Sequence, residues 1–514
     1  MTTLPVTDRA QDETPVAPVR PARRVLSPRA GSLLAAVLGG LAGAVLFAVA
    51  HRGLPDDSYI SMDYARTLVE HGRWGLTPFR DANAATSPLN VWVLAAGIVV
   101  TGRPVVAVGL ELMASTALLA AWGSTIAAML GWRRWVLPTV LVGLLVTSPF
   151  FTSTVGMEAF LGAALVVGVL RYAMAGRPVV AGVLTGLAAL ARPDLVVPAV
   201  VLLVVAFAVF APRRWRALAG AVGLGALVAL PWHVFAWFTL GGFLPDTFAI
   251  KTVGGSFADG ETFGNAAPRM FERWPVSITL VFATMLVGLV AFGFAAAACA
   301  RGSRALADRL TLAAGLAGLA HYVAYALLGV PSYLWYYCAS IALVSLCAAL
   351  GVARLVERGV GGAFAGIAVL AGLSAGVQIA AGVPWVSPVF YGNWALPAQY
   401  LAIGEDVART LPPGGSVEAP GEIGALAYGC RCDIVDAFSD HAWAVGLAQE
   451  REGNAGPVMR AVLRANRAGT DPGPAVRSPL TLHYDLGPGP GWRSDVPGRG
   501  VGHFWMTTTS LERP

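Results

Sequence analysis

Charge is what this chain lacks most. Asp, Glu, Lys and Arg make up 13% of its 514 residues, and 56% are hydrophobic. Soluble domains carry about 25% charged and about 45–50% apolar residues. The deficit is concentrated: Val276–Ala300 and Thr311–Val352 hold no charged residue at all. Runs of about 20 such residues cross the hydrocarbon core of a bilayer. With a mean hydropathy of +0.64, an ordinary soluble domain is excluded and a polytopic membrane protein is implied.

Lysine is nearly absent. Lys251 is the only one, so arginine carries the net charge of +6. The arginines sit in short clusters between apolar runs: Arg20/Arg23/Arg24/Arg29, Arg133/Arg134, Arg213/Arg214/Arg216, Arg301/Arg304/Arg309 and Arg354/Arg358. Membrane topology accounts for that placement, and nucleic acid is not an expected partner. Cysteine is scarce too. Five residues make no disulfide framework. Cys299, Cys338 and Cys347 lie in apolar runs and read as packing residues. The spacing of Cys430 and Cys432 is too tight for an easy bridge, and no His/Cys partners at zinc spacing accompany them. No cleavable signal peptide is evident. Residues 1–29 read as a polar, Pro-rich, disordered cytoplasmic tail.

What is there is a series of apolar segments, at about 30–51, 88–103, 106–130, 135–152, 158–175, 178–192, 194–211, 215–240, 275–299, 308–329, 333–353 and 361–382. Basic loops orient them with the N-terminus in the cytoplasm. All the arginine clusters are cytoplasmic together only if one early segment fails to cross. Pro88–Arg103 is short and opens on proline, so it is read as re-entrant or interfacial. That leaves about eleven transmembrane helices in an all-α polytopic domain over 30–383, and an exported C-terminus. From Pro384 onward Gly, Pro and charged residues rise, so 384–514 is read as a small exported α/β or mainly β domain. Ser416–Ala419, Ala425–Tyr428 and Asp433–Val435 read as short strands, and Leu401–Leu411 as an amphipathic helix.

With this orientation the polar outliers collect on the exported face. The loop 52–87 carries Asp56, Asp57, Glu70, Asp81 and Asn83. Two adjacent carboxylates at a bilayer surface raise the cost of ionising each other. Glu158 follows Thr154-Val155-Gly156-Met157. Arg192-Pro193-Asp194 marks a short turn. The second exported loop, 241–274, carries Asp246 and Lys251, and Tyr333-Leu334-Trp335-Tyr336-Tyr337 adds aromatics. Each has a plainer reading. Glu158 can cap a helix, Arg192 and Asp194 can form a structural ion pair, Lys251 can snorkel, and the tyrosines can form an interfacial belt. His233 reads as a packing histidine.

One chemistry uses the set economically: transfer of a sugar from a polyprenyl phosphate. The acceptor hydroxyl needs a general base, and a surface carboxylate can serve. The departing lipid phosphate needs cations, for which Lys251 and Arg192 are candidates. The second carboxylate can orient the acceptor or, with Glu158, hold a divalent ion such as Mg, Mn or Ca, though no cofactor is required. Glu158, Asp194, Asp246, Tyr336 and Tyr337 remain as candidate substrate contacts, the aromatic rings by stacking on sugar faces. Displacement with a single base inverts the anomeric centre.

Asp56-Asp57-Ser58-Tyr59-Ile60, then Tyr64-Ala65-Arg66 and Thr86-Ser87-Pro88-Leu89, resemble the first exported loop of the GT-C superfamily of polytopic glycosyltransferases. Gly156-Met157-Glu158, Ala191-Arg192-Pro193-Asp194, Leu244-Pro245-Asp246-Thr247-Phe248-Ala249-Ile250-Lys251 and the tail Gly421-Glu422-Ile423-Gly424 through Asp436 follow in the superfamily's order. Within it the chain looks most like actinobacterial arabinofuranosyltransferases of the terminal β-(1→2) type, which use decaprenyl-phosphoryl-arabinose. Asn90 departs from the pattern, standing where an aromatic is expected. The resemblance implies Asp56 as base with Asp57 assisting, and a multi-pass plasma-membrane enzyme acting on a cell-envelope polysaccharide or lipoglycan. Two other readings stand beside it: a polyprenyl-phosphate-mannose-dependent mannosyltransferase, and a non-enzymatic transporter or flippase of lipid-linked sugars. A transporter would place its ionisable residues at the midplane inside helices. Here they gather at one surface.

Overall fold

The computed structural model describes residues 28–210, 215–252, 260–454, 456–468 and 471–508. The expected disordered tail lies outside the described residues, except that Pro28 and Arg29 already belong to the first helix, Pro28–Ala50.

All twelve apolar segments are helical. Among the described residues, seven helices are long and apolar enough to cross a membrane: those within Pro28–Ala50, Pro104–Met129, Trp215–Thr239, Pro275–Ala300, Leu306–Leu328, Leu334–Glu357 and Gly362–Ala380. Five shorter apolar helices complete the bundle. Pro88–Thr101, expected to be re-entrant or interfacial, is one of them. Its 14 residues span about 21 Å at about 1.5 Å per residue, less than a hydrocarbon core of about 30 Å. Proline opens many of these helices, at a position where its missing N–H costs nothing.

Large apolar side chains on the outer helices stay exposed: Leu327 by 83%, Val100 by 79% and Phe238 by 75%. That is the surface a bilayer requires. The innermost helices are instead buried nearly all round. They are Ala159–Met174, whose residues are almost all enclosed, and Leu334–Glu357. Both begin at residues singled out above, Glu158 and Tyr333. The core of the bundle therefore fixes those side chains at one end.

The C-terminal segment holds a five-stranded sheet in the order β2-β1-β3-β5-β4. Its strands are β1 (Ser416–Glu418), β2 (Asp433–Val435), β3 (Leu480–Leu486), β4 (Trp492–Val496) and β5 (Gly500–Thr508). β1 runs parallel to β2 and β3, while β3, β5 and β4 are antiparallel. The expected amphipathic helix is present as Pro397–Thr410. Two sequence expectations are corrected here. Ala425–Tyr428, read as a strand, lies in the helix Gly424–Cys430. Cys430 and Cys432 do form a disulfide. Arg431 between them adopts φ 50° in the left-handed region, and that tight turn brings the two Cα atoms to 5.0 Å, inside the span a disulfide needs.

The far end of the bundle is basic. A pocket of about 360 Å³ there is lined by Met129, Trp132, Leu306, Arg354 and Arg358 among others. Glu357 accepts from the Arg133 backbone at 2.7 Å, and Arg354 pairs with Asp308.

Candidate active site

The loop 52–87 is held by one helix. Asp56–His71 starts after Pro55, with both carboxylates in its first turn, where they complement the helix dipole. It ends at Gly72 in the left-handed conformation. The two carboxylates have different surroundings. Asp56 is 5% exposed, and its oxygens accept from the Gly424 N–H at 3.0 Å and the Ala425 N–H at 2.7 Å. Gly424 is needed there, because a Cβ at this position would run into the Asp56 carbonyl. Asp57 reaches Lys251 Nζ at 2.7 Å and keeps 24% side-chain exposure.

Burial pushes the Asp56 carboxyl up to about 6. The Ala425 and Gly424 N–H groups and Lys251 oppose the shift, and the neighbouring Asp57 charge adds to it. Glu422, two residues before the capping Gly424, is held well above the usual carboxylate range by burial and by Asp56. Burial likewise raises Asp436 to about 7, with Asp56 contributing. Asp56 and Asp436 are thereby brought toward neutrality, and Glu422 is shifted in the same direction.

Lys251 sits on the short helix Asp246–Thr252. Its ammonium lies 4.5 Å from the centre of the Trp335 ring and 5.0 Å from that of Tyr333. Burial disfavours its charge, but the Asp57 carboxylate and the tyrosines outweigh burial and raise its pKa. The cation is thereby kept charged in a low-dielectric, aromatic-walled position.

A second cluster lies beyond those rings. Ser58 Oγ donates to Val155 O at 2.8 Å. Gly156, at φ +90°, lets the Thr154–Glu158 turn approach, and a Cβ there would meet Ser58 at 2.9 Å. The turn aims Glu158 at Arg192. Arg192 donates to Glu158 at 2.7 Å, to Asp194 at 2.8 Å and to the Tyr325 hydroxyl at 3.2 Å. All three of its nitrogens are engaged, with Tyr336 5.3 Å away across its ring. Asp194 also meets His321 at 3.0 Å, and His321 in turn meets Ser340 at 2.9 Å. Tyr333 and Tyr336 stand edge to face at 5.6 Å and join the two clusters.

The structure thus brings Asp56, Asp57 and Lys251 together, sets Glu158, Arg192, Asp194 and Tyr336 beside them, and leaves two candidates apart. Tyr337 donates to Phe263 O at 2.8 Å and stacks on Phe263 at 4.1 Å. Asp246 faces His441 at 3.0 Å. As possible metal ligands, Asp57 and Glu158 lie against different cations, and among the described residues no three His, Cys, Asp or Glu side chains converge. Asn90, the departure from the family pattern, donates weakly to Gly156 O at 3.5 Å. His233 packs as expected, bonded to Phe243 O at 2.7 Å. Sequence reasoning missed Glu422, His321 and Tyr325 as site residues. His321 and Tyr325 did leave a signal, as polar groups inside an uncharged run.

No family model matches the chain, and no curated protein matches it. Among solved structures it is similar to ArnT from Cupriavidus metallidurans. Against ArnT bound to undecaprenyl phosphate the TM-score is 0.51 at 16% identity, covering 87% of this chain and 92% of that one. Against the apo state the values are 0.53, 15%, 88% and 92%. The cryo-EM structure of arabinofuranosyltransferase AftD from Mycobacteria matches with a TM-score of 0.45 at 16% identity, over 77% of this chain and 29% of that one. The likeness to ArnT is one of fold. It covers most of this chain, and it agrees with the polytopic architecture expected from the sequence.

Proposed function

We propose that the chain is an inverting glycosyltransferase that takes a sugar from a polyprenyl phosphate on the exported membrane face and passes it to a cell-envelope glycan. The observation that carries this reading is the division of labour between two adjacent carboxylates. Asp56 is fixed by two backbone N–H groups and poised near pH 6. Asp57 instead faces the one lysine of the chain in an aromatic pocket. The acceptor hydroxyl attacks the anomeric carbon as Asp56 takes its proton. The bond from that carbon to the phosphate oxygen breaks, and the lipid phosphate departs with the electron pair toward Lys251. One displacement of this kind inverts the centre. Arg192, spent on Glu158, Asp194 and Tyr325, serves better as a buried support for the pocket wall than as a second phosphate cation. The ArnT structure with undecaprenyl phosphate gives a lipid-phosphate precedent for the fold. Arabinofuranose is the proposed sugar, on the motifs of the first and second exported loops.

A donor panel on purified protein tests this, with polyprenyl-phosphoryl-arabinose set against polyprenyl-phosphoryl-mannose. Asp56→Asn should lower kcat/KM by about 10²–10⁴ while the protein stays folded, and Lys251→Ala should raise the donor KM. Full transfer by Asp56→Asn would remove Asp56 as the base. Transfer of mannose alone would replace the sugar.

A further inference from the structure

We propose that His441 and Asn466, both in the C-terminal segment, are positioning residues that clamp the helix carrying Lys251. The proposal rests on the reading of Lys251 as the donor-phosphate cation. Lys251 lies near the end of the seven-residue helix Asp246–Thr252, which is too short to hold its own conformation. Its position must come from contacts.

Those contacts are numerous and come from two sides. From the first exported loop, Asn83 O accepts from the Asp246 N–H at 2.7 Å, and Asn83 Nδ2 donates to Gly242 O at 2.7 Å. From the C-terminal segment, His441 Nδ1 lies 3.0 Å from both Asp246 oxygens. The Asn466 side-chain amide takes the Leu244 N–H at 2.7 Å and faces Leu244 O at 3.4 Å. Ala249 is then buried against Ala448 and Leu463, with Phe248 and Met459 at the margin. Gly241 allows this approach, because a Cβ there would collide with the His441 ring. His441 opens the helix His441–Asn454 and Asn466 lies in the last turn of the helix Pro457–Arg467, so two helices of the C-terminal segment grip the loop on either side of Pro245. Asp246 then reads as the anchor of the Lys251 helix, which accounts for its place in the Leu244–Lys251 motif without any contact to substrate.

A clamp of this kind acts on the population of helices that hold Lys251 in place. If its loss leaves the competent position occupied one-tenth of the time, the apparent donor affinity falls roughly tenfold and the chemical step is unchanged. Full-length His441→Ala and Asn466→Ala should therefore raise the donor KM roughly tenfold, with kcat at saturating donor and the acceptor KM retained. His441→Asn keeps an N–H near the Nδ1 position and should restore most of the loss. On a Lys251→Ala background, His441→Ala should add nothing further to the donor KM. Hydrogen exchange gives a readout independent of any transfer. Amides of 246–252 should exchange faster in His441→Ala, and those of 57–71 should not. Unchanged exchange in 246–252, or faster exchange with an unchanged donor KM, would overturn the clamp. A wild-type protein that turns over no polyprenyl-phosphate sugar would defeat the functional reading, and the exchange measurement would still decide the clamp. Should His441→Ala fail to fold, Asn466→Ala carries the same comparison.

Discussion

At the residue scale the question is which carboxylate takes the proton, and pH answers it. Asp56 sits near 6 because burial and Asp57 raise it while two N–H donors and Lys251 hold it down. On the proposed reading of Asp56 as the base it works deprotonated, so kcat/KM should rise through about pH 6 and level off above it. The neighbours then move that limb in opposite directions. Asp57→Asn removes a charge that raises the Asp56 pKa, and the limb should shift to lower pH. Lys251→Met removes a charge that lowers it, and the limb should shift to higher pH. A pH series of kcat/KM on the three proteins checks this, and a limb that stays put in both variants would place the titrating group elsewhere. Asp56, Asp57, Glu158, Arg192 and Lys251 were legible in the sequence because charge is so rare in it. Glu422 and His441 were not. Their relevance comes from contacts across more than 190 positions, such as the Asp56 bond to Ala425 and the Asp246 bond to His441, and no local pattern announces those.

At the scale of elements, periodicity and length found the apolar helices of the bundle, because a membrane segment must satisfy its own backbone, although 135–152, read as one segment, is divided at Thr147 and Ser148 into Val136–Val146 and Pro149–Thr152. The same reasoning failed at Ala425–Tyr428. A short apolar run flanked by glycines reads equally as strand or helix, and here the Asp56 carboxylate caps the free N–H groups of Gly424 and Ala425 and settles it as helix. Packing between elements was legible only in outline. Helix Pro28–Ala50 lies against Pro104–Met129 through Gly39 and Gly43. A Cβ on Gly39 would stand 2.5 Å from Thr116 O and 2.6 Å from the Ala120 Cβ. Gly40, one position on, has nothing nearer than 3.5 Å. Close approach through small residues is how helices associate in lipid. Gly39→Leu should therefore destabilise the protein by about 1–3 kcal/mol, while Gly40→Ala should be close to neutral. Thermal unfolding in detergent compares them, and equal effects would deny the helix pair its glycine seam.

At the scale of the whole molecule, the chain has two chemically different ends. One gathers Asp56, Asp57, Lys251 and the C-terminal sheet, tied to the first loop by Arg80–Asp433 at 2.8 Å and by Arg66 to Tyr428 O at 3.3 Å. The other carries the arginine clusters 133–134, 301–309 and 354–358, with Arg354 and Arg358 lining the far pocket and Arg133 bonded through its backbone to Glu357. Positive loops stay in the cytoplasm, so the site end should face outward, where an oxidising environment also suits the Cys430–Cys432 bridge. The orientation is decided by single-cysteine labelling in intact cells, in a chain whose native cysteines are replaced by serine. Asp81 is an exposed residue of the site end and Arg304 an exposed residue of the basic end. A membrane-impermeant maleimide should label Asp81→Cys in intact cells, and Arg304→Cys only after permeabilisation. The reverse pattern would put Asp56 and Lys251 on the cytoplasmic face. A lipid-linked donor used in the exported leaflet could not then reach them, and the proposed reaction would fail with the topology.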